Sequence, residues 1–412
     1  MSFDQHRLGR RLREARKNCG LSQQTAADKI GVPRTAITQL EAGNRAVSTL
    51  ELIDLAELYN RSVVDFFNEQ AVIEDNPLVA LHRIAPGLEQ PEIKEQVAYC
   101  LNLCREGTIL EEHLGRSARS GPPSYDYPAP RTVGEAIRQG ERVALQERKR
   151  LGLGQTPIVD MGELISEQGI WSAGVHLPDE MSGLFLHHPL IAMAILVNIH
   201  HARGRNRFSY AHEYAHALLD RGRTVTVSTR DNASELVEKR ANSFSSVFLA
   251  PPEGVIAFIR TLDKGAPSRQ EEMVFDVATN EHVEAQLRAT PSAQTITYQD
   301  AALLARHFGV SYQVAVYRLK NLGLVSQPEC TKLLEREEEG RSFLSFLNPA
   351  EDLDKAENKE RQERDLKSQI IQLAIEAYRR EEISRGKLLD ISKKLKLSGR
   401  MLLELAEAVK KP

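Results

Sequence analysis

Cysteine is scarce. Four in 412 residues, with no C-x-x-C pair among them, leave no basis for a disulfide framework or a cysteine-rich metal module. Cys19, Cys100, Cys104 and Cys330 read as reduced thiols, the state expected in the cytoplasm. Long apolar runs are missing too, and the longest, Leu190 to Ile199, is too short to span a membrane. The start of the chain is Arg-rich and lacks the apolar segment of a signal peptide, so a cytoplasmic protein with no membrane partner is expected. Neither charge sign dominates. A net charge of −3 exerts no global pull on nucleic acid, so any such contact must come from a local patch. The remaining composition, 41% hydrophobic and 27% charged, is that of an ordinary soluble protein with room for two to four domains.

The chemistry that is present gathers in residues 207–219, R-F-S-Y-A-H-E-Y-A-H-A-L-L. The stretch reads as a helix. Four residues turn an α-helix by ~400° and advance it by ~6 Å, so His212 and His216 share one face, one turn apart. Two imidazoles so placed can grip one ion, and zinc is well served by such nitrogens. Glu213, beside the first histidine, can reach a water on that ion and take its proton. Ala211, Ala215, Ala217, Leu218 and Leu219 give the helix a face to bury. A third ligand is needed. Residues 235–244 read as a second helix that offers carboxylates at Glu235 and Glu238, one turn apart.

F-S-Y-A-H-E-Y-A-H-A-L-L, followed by E-K-R-A-N-S-F-S-S-V-F-L-A-P, resembles the ImmA/IrrE family of zinc metallopeptidases over roughly residues 130–330. The resemblance implies a zincin-like domain with Zn2+ as cofactor and Glu213 as catalytic base. It also implies that Glu238, three residues before Ala-Asn, joins His212 and His216 as third ligand, with Glu235 as the fallback. F-S-S-V-F-L-A-P departs from the family, which more often carries alanines and a methionine there. Two strands are expected at 182–186 and 191–198, and the first is expected to hold a substrate as an edge strand. His187, His188, His200 and His201 read as surface histidines, although one of them, or Tyr210, is available to stabilise an oxyanion.

The first 70 residues carry a second signature. Residues 4–19 form a basic amphipathic helix, with Leu8, Leu12 and Ala15 on one side and Arg7, Arg10, Arg11, Arg13, Arg16 and Lys17 around the rest. Ser22 is an N-cap, Gly31 a helix end and Pro33 a first-turn residue. Thr49 is expected to cap a fourth helix, and Val63, Val64, Phe66 and Phe67 to form a short fifth. The order L-S-Q-x-x-x-A-x-x-x-G-V-x-x-x-x-I-x-x-L-E-x-G-x-R resembles the DNA-binding domain of the Xre/Cro family. By that resemblance residues 33–41 are the recognition helix. Arg34, Thr35, Thr38 and Gln39 would read base edges, while Gln23, Asn44 and Arg45 would bind phosphate, with Arg10 and Arg11 as weaker contacts. One such helix reads a half-site, so a homodimer on an operator of double-stranded DNA is expected.

Between and after these lie less specific segments. A helix is expected over residues 92–114, followed by an exposed Pro/Ser/Gly linker up to Pro130. Residues 298–324 look like a second helix-turn-helix with sparse basic residues, better read as a packing module than as a DNA reader, though Arg318 and Lys320 are available to phosphate. The acidic run 335–340 and the mixed-charge stretch 348–364 read as a solvated linker or an exposed helix, and residues 366–411 as a helical module that docks a partner or a second protomer. The expected fold is α+β, mainly α. A five-helix bundle (1–70) is followed by a helical connector (71–130), a zincin-like domain with a small sheet (131–290), a helix-turn-helix-like subdomain (291–330) and a helical docking module (331–412). The expected function is a DNA-binding regulator whose zinc endopeptidase cuts a repressor-type protein, itself or a partner, to control a stress or mobile-element operon. The alternative is a non-enzymatic repressor or antitoxin whose zinc domain is structural or sensory.

Overall fold

The computed structural model describes residues 5–18, 21–59, 63–66, 91–116, 121–222, 225–229, 232–265, 269–276, 281–288, 294–347 and 366–408. Phe67, the connector up to residue 90 and the mixed-charge stretch 348–365 lie outside the described residues. The chain divides into two compact units, Met1–Arg83 and Ile84–Pro412. The architecture is α+β and mainly α.

The first unit holds α1 (Gln5–Asn18), α2 (Gln23–Ile30), α3 (Arg34–Ala42) and α4 (Thr49–Leu58), then a 3-10 turn, Val63–Phe66, where a fifth helix was expected. Four residues are too few for an α-helix to repay its nucleation. Ser22 caps α2 and Gly31 ends it in the left-handed conformation. The cap of α4 is Ser48 rather than Thr49. Its hydroxyl accepts from Glu51 N while the Glu51 carboxylate accepts from Ser48 N, a reciprocal box that Thr49 could not form with its own helix. Leu8, Leu12, Ile37, Leu40, Leu55 and Phe66 fill the core. Arg16 donates to both oxygens of Glu41, at 2.5 and 3.0 Å, and ties α1 to α3 inside that core.

The second unit is organised around a four-stranded sheet of order β1 (Trp171–Val175), β3 (Ala192–Asn198), β2 (Met181–His188), β4 (Val225–Thr229). β1 runs parallel to β3, and β2 runs antiparallel to both β3 and β4. The strand expected to hold substrate is therefore an inner strand. Both of its edges are already paired, and β4, absent from the sequence-based expectation, is the outer strand on that side. β4 was missed because V-T-V-S-T is only five residues long and has a single pair of apolar residues to mark it.

Helices cover both faces of the sheet. On one lies α5 (Pro91–His113), where Gly107 leaves the space into which the Trp171 ring and Ile370 pack, and where Trp171 Nε1 donates to Thr108 Oγ1 at 3.1 Å. After α5, residues 121–130 form a strap that lies on the core, contrary to the expected exposed linker. Tyr125 N donates to Leu218 O at 2.9 Å, the Tyr125 hydroxyl to buried Glu147 at 2.8 Å, and Gln139 Nε2 to Pro128 O at 3.1 Å. Prolines remove backbone donors without preventing a segment from packing. The strap leads into α6 (Val133–Arg150) and α7 (Met161–Glu167). On the other face lie α6 and α7 together with α8 (Arg203–Leu219) and α9 (Leu236–Leu249), and after them in the chain come α10 (Pro252–Thr261) and the hairpin β5 (Arg269–Asp276) with β6 (Glu281–Arg288). α6 crosses α9 closely at Gly140, where a Cβ would lie 2.3 Å from Arg240 O.

The remaining helices complete the unit. α11 (Tyr298–Phe308) and α12 (Tyr312–Asn321) share the core of the sheet domain through Ala302, Phe308, Val316 and Leu319. Arg318 is buried and donates to Ala250 O at 3.0 Å, so it is a structural clamp and not a phosphate contact. α13 (Gln327–Glu335) and α14 (Glu337–Leu347) follow, and the acidic run opens α14 as the exposed helix, with Glu338 and Glu339 exposed and only Gly340 buried. Its glutamates lie in the first turn, where the helix dipole favours them. α15 (366–379), α16 (Arg385–Lys394) and α17 (Gly399–Ala408) end the described chain. The C-terminal module docks on its own chain. Glu106 of α5 pairs with Lys387 at 2.5 Å and Lys394 at 2.8 Å, and Arg116 pairs with Glu376 at 2.6 Å.

Arg148 of α6 shows how the loop before the sheet is held. Its guanidinium is buried and donates to the carbonyls of Gly154, Thr156 and Phe248, the last at 2.6 Å. Burial lowers its pKa to about 10, so the group stays charged at neutral pH. Arg148→Met would leave these carbonyls unsatisfied and is expected to cost about 3 kcal/mol of stability. Urea unfolding followed by circular dichroism checks this, and an unchanged midpoint would show the clamp to be idle.

Candidate metal centre and nucleic-acid interface

α8 buries nearly all of its length, so the motif's side chains are fixed by packing on the sheet before any ligand is considered. The face that carries His212 and His216 meets α9, and Glu238 lies in the first turn of that helix. His212 Nε2 is 3.2 Å from His216 Nε2 and 2.9 Å from Glu238 Oε2, and His216 Nε2 is 3.5 Å from Glu238 Oε1. All three residues are buried, and among the described residues they are the one group of this kind able to hold a metal ion. Donors bound at about 2.0–2.2 Å to a tetrahedral zinc stand roughly 3.3–3.6 Å apart, so the three separations fit one ion with small adjustments. Glu235 is the exposed N-cap residue of α9 and lies outside the group.

The far side of each imidazole is also held. His212 Nδ1 lies 3.0 Å from Asn242 Oδ1, and His216 Nδ1 lies 2.9 Å from Asp220 Oδ2. A proton on each Nδ1 turns the Nε2 lone pairs toward the centre, the arrangement that orients histidine ligands on metals. Sequence reasoning missed both partners. Each lies four residues beyond a candidate ligand, Asp220 after His216 and Asn242 after Glu238, and the same helical spacing that picked out the histidines could have found them. Arg240 Nη2 in turn donates to Asp220 Oδ1 at 2.6 Å, a contact between helices that no local spacing shows.

The centre is rich in negative charge. Burial works against ionisation of Glu238, but hydrogen bonds from His212 and His216 outweigh it and hold the carboxyl down at about 2. Burial likewise opposes charge on His216, yet its bonds to Asp220 and Glu238 raise it to about 10. One carboxylate and two imidazoles thus face one enclosed space, with Asp220 behind the ring of His216. Glu213 differs from these. It is fully buried, its carboxylate oxygens make no close hydrogen bond, and burial raises its pKa while His212, His216 and a weak hydrogen bond from the Ser228 hydroxyl pull the other way. Gly183 of β2 makes room for it, since a Cβ there would lie 3.0 Å from Glu213 Oε1. A carboxylate raised in this way can take a proton from a water.

The other candidates lie elsewhere. His187 Nδ1 lies 3.1 Å from Arg221 O, His200 Nε2 lies 2.8 Å from His176 Nδ1, and His201 Nε2 lies 3.2 Å from Asp179 O. His188 and Tyr210 are buried. None of these belongs to the metal-competent group.

In the first unit, Arg34, Thr35, Thr38 and Gln39 are exposed together on α3, and Asn44 and Arg45 are exposed just beyond it. Gln23 is half-buried. Its amide donates to Glu41 Oε2 at 2.9 Å and accepts from Thr38 Oγ1 at 3.3 Å. Arg45 pairs with Glu51 at 2.7 Å. Arg10 is exposed, but Arg11 is buried and donates to Phe66 O at 2.8 Å, which removes it from the set of phosphate contacts.

A family model described as helix-turn-helix matches residues 12–66, and one described as IrrE N-terminal-like domain matches residues 168–268. The second match spans the sheet together with α8 and α9. No curated protein matches the chain closely. If the three side chains form the centre, adding zinc to the chelator-stripped protein should raise its melting temperature. At a concentration ~100-fold above Kd the gain is about 2.7 kcal/mol. Glu238→Ala should lose most of that gain, as read by differential scanning calorimetry.

Proposed function

Because the chain joins a helix-turn-helix DNA-binding domain to an IrrE N-terminal-like domain of a metallopeptidase family, we propose that it is a cytoplasmic transcriptional regulator whose zinc endopeptidase cuts a repressor-type protein, itself or a partner, and so controls a stress or mobile-element operon. The observation that carries the peptidase half is Glu213, a fully buried carboxylate that makes no close hydrogen bond, set beside a metal-competent triad. In this reading His212 and His216 hold the ion through Nε2, Glu238 completes the protein ligands, and Asn242 and Asp220 keep the rings turned inward. The chemistry that a bound zinc supplies is Lewis acidity toward a carbonyl and a water. Glu213 takes the proton from the attacking water and passes it to the amine as the peptide C–N bond breaks.

The rival reading is a non-enzymatic repressor or antitoxin with a structural or sensory zinc site. It draws support from the burial of all three donors. A structural site, however, has no use for a further carboxylate without a close donor. Glu213→Gln separates the two readings. It should keep zinc at one equivalent and slow cleavage of co-incubated repressor-type proteins by about 100-fold or more. If the variant cuts as fast as the parent, or the parent cuts no better than its chelated form, the hydrolytic reading fails.

The DNA half rests on the exposed stripe of α3. Since a single recognition helix reads a half-site, a homodimer on a two-fold operator is the expected assembly. Arg34→Ala should weaken binding to a selected operator by about 1–3 kcal/mol and relax preference at one base position. Gel-shift titrations against single-base operator variants measure both effects. Uniform weakening across all variants would place Arg34 on the phosphates instead.

A further inference from the structure

His216 is held by more than its immediate neighbour. Asp220, just past the end of α8, accepts from His216 Nδ1 at 2.9 Å through Oδ2 and from Arg240 Nη2 at 2.6 Å through Oδ1. Arg240 sits on α9, two residues beyond Glu238, and is 2% exposed. Its Nη1 donates to Gln139 Oε1 at 3.2 Å. Gln139 belongs to α6, is 7% exposed, and turns its Nε2 to Pro128 O at 3.1 Å, with a longer contact to Glu135 at 3.5 Å. Four hydrogen bonds in series thus join the strap at 121–130, α6, α9 and the end of α8 to one imidazole of the candidate centre.

The polarity of the series is consistent throughout. The glutamine amide gives its protons to Pro128 and its oxygen to Arg240. The guanidinium donates on both sides, through Nη1 to Gln139 and through Nη2 to Asp220 Oδ1, while the second Asp220 oxygen accepts from His216 Nδ1. Arg240 Nε is buried without a partner. A residue kept only for packing would avoid that loss, and an aliphatic side chain would fill the same space. The close crossing of α6 and α9 at Gly140, next to Gln139 and against the Arg240 carbonyl, keeps the two side chains in register.

We propose that Arg240 and Gln139 are positioning residues of the metal centre, acting through Asp220 to fix the tautomer and direction of His216, with the strap as their outer anchor. The inference rests on the reading of His212, His216 and Glu238 as metal ligands.

The test is cobalt(II) titration of the full chain, read by its visible d–d absorption, with zinc affinity from chelator competition. Arg240→Met should bind zinc about 10- to 100-fold more weakly, the range seen when partners of metal-binding histidines are removed. Its cobalt spectrum should also shift. Gln139→Met, a near-isostere at the end of the series, should show a smaller loss in the same direction, and Arg240→Lys should recover part of it. Circular dichroism of the metal-free proteins establishes that the variants are folded. If Arg240→Met does not fold, Gln139→Met decides. Parental affinity and spectrum in the folded variants would overturn this inference and leave the metal centre standing. A parent that binds no cobalt would overturn both.

Discussion

The meeting of α8 and α9 is the constraint on which the second unit depends. One helix brings two imidazoles, the other a carboxylate, and neither can hold an ion alone. Their approach is set by packing away from the site. Phe244 and Phe248 of α9 stack at 5.0 Å beside Tyr214 of α8, and α6 closes over α9 where Gly140 lets the backbones touch. The sheet beneath α8 is braced from its other face by α5, through Trp171 and the C-terminal helices. The site thus rests on a layered core and not on a mobile loop.

Charge is managed by the same layers. Buried ionised groups are costly unless they are paired and hydrogen-bonded. Glu147 is satisfied by Tyr125, Tyr214 and Arg150, Glu106 by two lysines, and Arg148 and Arg207 by backbone carbonyls. Against that background Glu213 stands out. Glu147 and Glu106 are held by close donors, whereas Glu213 lies beside the metal-competent group without one, the environment in which perturbed carboxylates at functional sites are found.

The helical scaffold was largely legible in the chain. The ends of α2, α6, α11 and α12 follow caps and glycines that the sequence shows directly, such as Ser22, Gly31, Gly309 and Ser311. The strands were harder. β4 is short, and the β5–β6 hairpin, E-E-M-V-F-D paired with E-H-V-E-A-Q-L-R, carries too many charges to read as a strand pair. The roles of Arg11 and Arg318 were misjudged for one reason. An arginine on a helix surface and one buried against a carbonyl look alike until the neighbouring element is known.

Sequence alone determined which residues share a face. His212 with His216, and Arg34 with Thr38, follow from the 3.6-residue turn, because that periodicity is a property of the backbone. The family resemblance pointed to Glu238 over Glu235, and the tertiary structure is what brings Glu238 to the two histidines. The enclosure of β2, the seating of the strap, and the series from Gln139 to His216 came only with that structure. These depend on how segments far apart in the chain pack, and packing answers to the shapes of all the partners at once.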